Sequence, residues 1–272
     1  MNLQLVIGFL ALGVCASAVG VAQEFGFGDG MYIVGKDIQA GTYRTRGGSG
    51  CYWARLRGFG GEGKNIIANR ASINGSSQIV QIDPTDRGFQ TENCGTWTAS
   101  LTRMTETKNQ FGDGMYIVGL DIDPGLYETS GGSGCYWAKL RGFGGEGKNI
   151  IANRVSINGS SQIVQIDPTD RGFQTENCGT WSASWYARLG RPNKSQNQFG
   201  DGTYIVGKDI NPGVYKNSGG SGCYWARLRG FGGEGKNIIA NRSSINGSSQ
   251  IVQIDPTDQG FQTENCGTWT RQ

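Results

Sequence analysis

The chain contains itself three times, and that fact constrains its fold more than any other. Phe27-Gly28-Asp29-Gly30 returns at Phe111-Gly112-Asp113-Gly114 and at Phe199-Gly200-Asp201-Gly202, at offsets of 84 and 88 residues. From Gly47 to Trp97 the copies differ at three positions only: Arg55/Lys139/Arg227, Ala71/Val155/Ser243 and Arg87/Arg171/Gln259. The segment before Gly47 drifts more, as in Arg44/Glu128/Lys216. A repeat of about 70 residues is a small domain-sized module. The boundaries fall at 24–97, 111–181 and 199–270, with linkers at 98–110 and 182–198. The linkers are polar and lack the stiffness of Pro-rich segments, which predicts beads on a flexible string rather than a solenoid. Trp185 and Tyr186 in the second linker are candidates to dock on a neighbour.

Each copy carries two cysteines, Cys51/Cys94, Cys135/Cys178 and Cys223/Cys266, always 43 residues apart. The repeat symmetry selects the pairing inside each module. A zinc site would need about four Cys or His ligands, and each module offers two Cys in a chain with no His. Closing such a loop stabilises a module by about 4 kcal/mol in the chain-entropy picture. A domain this small needs the help, because it buries little apolar surface. Disulfides also belong to an oxidising compartment.

The N-terminal 22 residues agree with that compartment. Leu3 to Ala22 is apolar and uncharged, as in an export signal, although no Lys or Arg precedes it. Gly20 and Ala22 form a small-x-small cleavage site. The same run is long enough for an uncleaved membrane anchor. Cys15, in Leu12-Gly13-Val14-Cys15, offers a lipid anchor instead. The expected location is secreted or cell-surface, with any membrane contact confined to this segment.

Short β-type runs alternate with turn signals, and no long helical period appears. In the first copy they are Met31–Val34, Gly41–Arg44, Cys51–Leu56, Asn65–Asn69, Gln78–Ile82 and Gly88–Thr91. Asn74-Gly75 reads as a hairpin turn, since both residues accept positive φ. Asp83-Pro84-Thr85-Asp86 reads as a second turn. The expected fold is all-β, three small disulfide-closed sandwiches or barrel-like modules.

Gly28 to Tyr43 reads Gly-Asp-Gly-x-Tyr-x-Val-Gly-x-Asp-Ile-x-x-Gly-x-Tyr. Cys51-Tyr52-Trp53, Ile66-Ile67-Ala68-Asn69 and Cys94-Gly95-Thr96-Trp97 follow. This order resembles a repeat domain of secreted and surface lipoproteins of bacteria, over about 210 of the 272 residues. The resemblance implies export and a bacterial origin, and carries no activity.

Composition speaks against catalysis. With no His, the commonest general base is missing and Ser-based triads cannot form. Glu62 and Glu92 have no spacing that makes them a carboxylate pair. Gly58-Phe59-Gly60-Gly61-Glu62-Gly63-Lys64-Asn65 comes within one residue of a phosphate-binding loop. A strand-like run follows it instead of the helix such a loop requires, so it reads as a plain Gly-rich β-loop. Asp29, Asp37, Asp83 and Asp86 lack calcium-loop spacing and read as turn residues. Asn74, Asn158, Asn246 and Asn193 match glycosylation acceptors, which a bacterial source makes moot. No cofactor or metal is expected. A net charge of +3 is too weak to argue for a nucleic-acid partner. From Phe27 on, the modules carry +2, −3 and 0, and Arg188, Arg191 and Lys194 add +3 in the second linker. That drift suits a solvated surface or one that reads different partners.

The remaining candidates are aromatic. Trp53, Trp137 and Trp225, beside Arg55, Lys139 and Arg227 and beside Tyr43, Tyr127 and Tyr215, either pack against the disulfide or stack on a sugar ring. Two functions follow from these alternatives. One is an exported binding protein whose three weak sites gain avidity on a cell-wall polymer or surface glycan. The other is a structural spacer of the envelope with no specific ligand. An exposed aromatic patch or a groove on each module favours the first, and a polar surface the second.

Overall fold

The computed structural model describes residues 26–72, 74–187 and 196–272. The N-terminal segment, with its signal and anchor readings, lies outside the described residues, as do Arg188, Arg191, Asn193 and Lys194.

The first module has eight strands: β1 (Gly26–Phe27), β2 (Gly30–Ile33), β3 (Gly41–Thr45), β4 (Cys51–Leu56), β5 (Ile66–Ser72), β6 (Gln78–Ile82), β7 (Gly88–Glu92) and β8 (Trp97–Thr98). They form two antiparallel sheets in the orders β1-β8-β3-β6 and β2-β7-β4-β5. The other two modules repeat both orders. The sheets share no strand, so each module is an open sandwich rather than a closed barrel. β5 and β6 are edge strands of opposite sheets.

The core follows from alternation along the strands. Tyr43, Val80, Ile82 and Trp97 face inward from one sheet, and Trp53, Ala68 and Phe89 from the other. Phe89 is the hub: Trp97 meets it edge-on at 5.6 Å and Trp53 stacks on it at 6.3 Å between ring centroids. Trp97 donates its indole N–H to Thr91 Oγ1 at 2.8 Å, which satisfies the one polar atom this ring brings inside. The disulfides are Cys51–Cys94, Cys135–Cys178 and Cys223–Cys266, each within a module. Each ties the strand of the buried Trp to the connection between the sheets.

Three expectations change. Asn74-Gly75 is not a hairpin turn, because β5 pairs with β4 and β6 with β3. Gly75 does adopt φ +73°, but it carries the chain from one sheet to the other. The Gly-rich loop ends in a single 3-10 turn, Gly63–Asn65, before β5. The modules, finally, are not free beads, for consecutive ones dock on each other.

Candidate functional site: the joints between modules

The open side of the first sandwich, between the edges β5 and β6, receives the Gly-rich loop of the second module. Phe143 of that loop packs with Ile79 of β6 in one buried cluster that includes Met115 and Leu140. The edge backbone of β6 is used as well: Gln81 N–H donates to Phe143 O at 2.9 Å, and Met115 N–H donates to Ser77 O at 3.0 Å. An uncovered sheet edge presents such groups to any passing strand, and here the next module takes them.

Gly145 explains why the loop is glycine-rich. It sits at φ +79°, and a Cβ built there would lie 2.5 Å from the Trp53 ring and 3.2 Å from Ala68. Only a residue without a side chain fits both the backbone and the gap. Trp53 is therefore covered by the neighbour, at 1% exposure.

Arg55 lies beneath the same loop. Its guanidinium forks onto Asp86, at 2.7 and 2.9 Å, and also pairs with Asp83. Its remaining arm donates across the joint to Gly144 O at 2.8 Å. Burial works against its charge, but Asp86 and Asp83 more than offset this and hold its pKa above the ordinary value. Arg44, outside this cluster, forms a buried ion pair with Asp121 of the second module. Asp121 also accepts Ile117 N–H at 2.8 Å and Met104 N–H at 3.0 Å. At the rim Arg70 faces Glu176 at 3.4 Å.

The second joint repeats the pattern. Ile163 packs with Phe231 and Leu228. Gln165 N–H donates to Phe231 O at 2.9 Å, and Thr203 N–H to Ser161 O at 3.0 Å. Gly233, at φ +78°, lies over Trp137 with the same 2.5 Å limit on a Cβ. Arg154 meets Glu264 at 2.8 Å and lies over the Tyr224 ring at 5.9 Å. Lys139 replaces Arg55, and its ammonium contacts Asp167 at 2.6 Å and Asp170 at 3.2 Å within its own module. Burial raises the pKa of Asp170, an effect that its bond from Asp167 N–H and the nearby Lys139 work against.

These positions correct the aromatic-platform reading. Trp53, Trp137 and Trp225 are buried, and so are Tyr43, Tyr127 and Tyr215. Their rings fill the sandwich, and the tyrosine hydroxyls tie down local loops, as Tyr43 Oη does by donating to Gln39 O at 2.8 Å. Burial and the Asp123 carboxylate push the Tyr127 hydroxyl up to about 12. None of these rings presents a face to a sugar. The outward neighbours Tyr136 and Tyr224 pack instead against the joints. The acidic residues have structural partners too. Asp29 accepts Cys94 N–H at 2.9 Å, Asp37 accepts Ile33 N–H at 2.8 Å, and Asp83 and Asp86 hold Arg55. Trp185, in the one-turn helix Ser184–Ala187, is largely exposed, and the Tyr186 side chain lies outside the described residues.

A family model described as "Rv1352-like extracellular domain" matches the chain three times, over residues 25–98, 108–182 and 196–270. The chain belongs to this family. Relatives include "Uncharacterized protein Rv1352" of Mycobacterium tuberculosis (strain ATCC 25618 / H37Rv) and "Uncharacterized protein Mb1387" of Mycobacterium bovis (strain ATCC BAA-935 / AF2122/97). Each is 36% identical over 91 residues, covering 28% of this chain and 72% of the relative. Membership of an extracellular domain family, together with three disulfides, marks an exported protein.

Proposed function

We propose that this exported protein is a non-enzymatic structural element of the cell envelope or extracellular space, a row of modules held at fixed angles. One observation carries the reading. The residues best suited to hold a ligand are already taken up: Trp53, Trp137, Trp225, Arg55 and Lys139 are buried, and Arg227, partly exposed, is paired with Asp255 and Asp258. A binding module keeps its anchors accessible, whereas a spacer uses them to set its own geometry. The narrow space in the second joint, about 60 Å³, is lined by Trp137, Arg154, Thr203 and Glu234 among others, and has room for water but not for a glycan.

Small-angle X-ray scattering on the full chain tests the row. Fixed joints give a single sharp distance distribution that stays unchanged with salt. A broad distribution of independently moving modules would return the protein to the flexible-bead picture.

A second reading, binding of a cell-wall polymer or surface glycan, has one feature in its favour. An open cleft of about 620 Å³ runs along the second joint, lined by Leu126, Asp167, Lys208, Phe231, Lys236 and Pro256 among others. Retention of the chain on isolated cell walls, lost on Lys208→Glu/Lys236→Glu, would select this reading.

A further inference from the structure

The joints are heterologous: one face of a module meets a different face of the next. Such contacts do not close on themselves, and they leave both faces unused at the ends of a row. The terminal faces bear this out. Ile79 and Ile163 are buried in joints, but their counterpart Ile251 in the third module is 64% exposed. Phe143 and Phe231 are buried in joints, but their counterpart Phe59 in the first module is 51% exposed. Met31, in the place of the buried Met115, is 57% exposed. Exposed Ile and Phe at two opposite ends of one chain also exclude a closed ring of the three modules.

We propose that the two ends fit each other, so that the third module of one chain receives the Gly-rich loop of the first module of a second copy. This rests on the reading of the chain as a structural row. The charged residues and the loop carbonyl of the first joint have their counterparts at the ends. Arg227 stands where Arg55 reaches Gly144 O, and Gly60 stands in the place of Gly144. Arg242 and Glu92 repeat Arg70 and Glu176. Lys216 and Asp37 restore the opposite charges of the Arg44–Asp121 pair, a pairing that the second joint replaces with Glu128 and Asp209. Gly61 has φ +79°, as Gly145 has, with nothing within 4 Å of a Cβ built on it, so its place over a Trp is free. The end-to-end contact thus reproduces a joint the chain already makes twice, and repeating it gives an open filament.

Sedimentation analysis of the full chain over a wide concentration range tests this. The mass should climb with concentration in steps of one chain. Ile251→Arg blocks one end and Phe59→Asp the other. Both side chains are exposed, so the modules keep their fold, which circular dichroism verifies. Each variant alone should stay a single chain, and an equimolar mixture should double in mass and stop there. A wild-type chain that stays single at every concentration overturns the proposal. So does growth that survives either substitution, or a mixture that does not associate. A single chain with a sharp scattering distance distribution would leave the row standing while ending the filament.

Discussion

The two joints share one skeleton and differ in their polar layer. Both bury an Ile of the edge strand against a Phe of the Gly-rich loop, and both lay a glycine over a Trp. Only the first sends a buried arginine across, from Arg55 to Gly144, and only the first has the Arg44–Asp121 pair. In the second, Lys139 keeps its ammonium on Asp167 and Asp170, while Arg154 and Asn158 make the closer contacts at the rim, to Glu264 and Asn265. The apolar skeleton therefore makes modules stick, and the drifting polar residues decide how tightly each pair does. Charge variation that looked like a solvated surface is, at Arg44, variation at a joint.

The largest expected effect comes from breaking the arginine. Arg55→Ala leaves the Asp86 carboxylate, 1% exposed, without its partner, and should cost about 3–5 kcal/mol. Calorimetric unfolding should show the first module melting early. Lys139→Ala should cost less, since Lys139 sends no bond across its joint. Equal losses would mean that the reach to Gly144 contributes nothing.

A smaller effect isolates the joint itself. Gly145→Ala and Gly61→Ala share φ +79°, so their backbone strain cancels in the comparison. Only the first adds a methyl against Trp53, and the difference should be about 1–3 kcal/mol. Quenching of Trp fluorescence should rise for Gly145→Ala alone.

The smallest effect is a pH dependence in the second module, set by Asp170. The folded pKa of Asp170 lies above its ordinary 3.8, so the folded state binds its proton more readily than the unfolded chain does. The resulting penalty is present above the folded pKa and is relieved as pH falls through it toward the ordinary value. Lys139→Arg, which restores the two-pronged pairing seen at Arg55, should flatten this trend. Melting temperatures of the two proteins across the acidic range provide the check.

The sandwich and its bridges were legible because their signals are local. Short β-type runs between turn signals mark Met31–Val34 or Gln78–Ile82 as strands, and the repeat of the Cys spacing names the pairs. The two-residue strands β1 and β8 were too short to carry a pattern. The joints were hidden for another reason. In near-identical copies, Trp53 reads the same whether its lid comes from its own module or from the next. Arg55, between Ala54 and Leu56 on a strand, gave no hint that it would be buried. One signal was present at Phe59: a large ring amid four glycines has no packing partner of its own in the loop, and so asks for one elsewhere. The near-identity of Gly47 to Trp97 gains a reason as well, since that stretch supplies most of both faces of every joint.

Each open sandwich edge is closed by the module that follows it in the chain, never by the one before. During synthesis and export, the most recently completed module always waits, with the Ile of its edge strand exposed, for its lid to emerge. A chain stopped after the first or second module would be released with that wait unresolved. Order of manufacture is thus built into the structure: the row is finished from its beginning toward its end, and its youngest module is the one left unlidded.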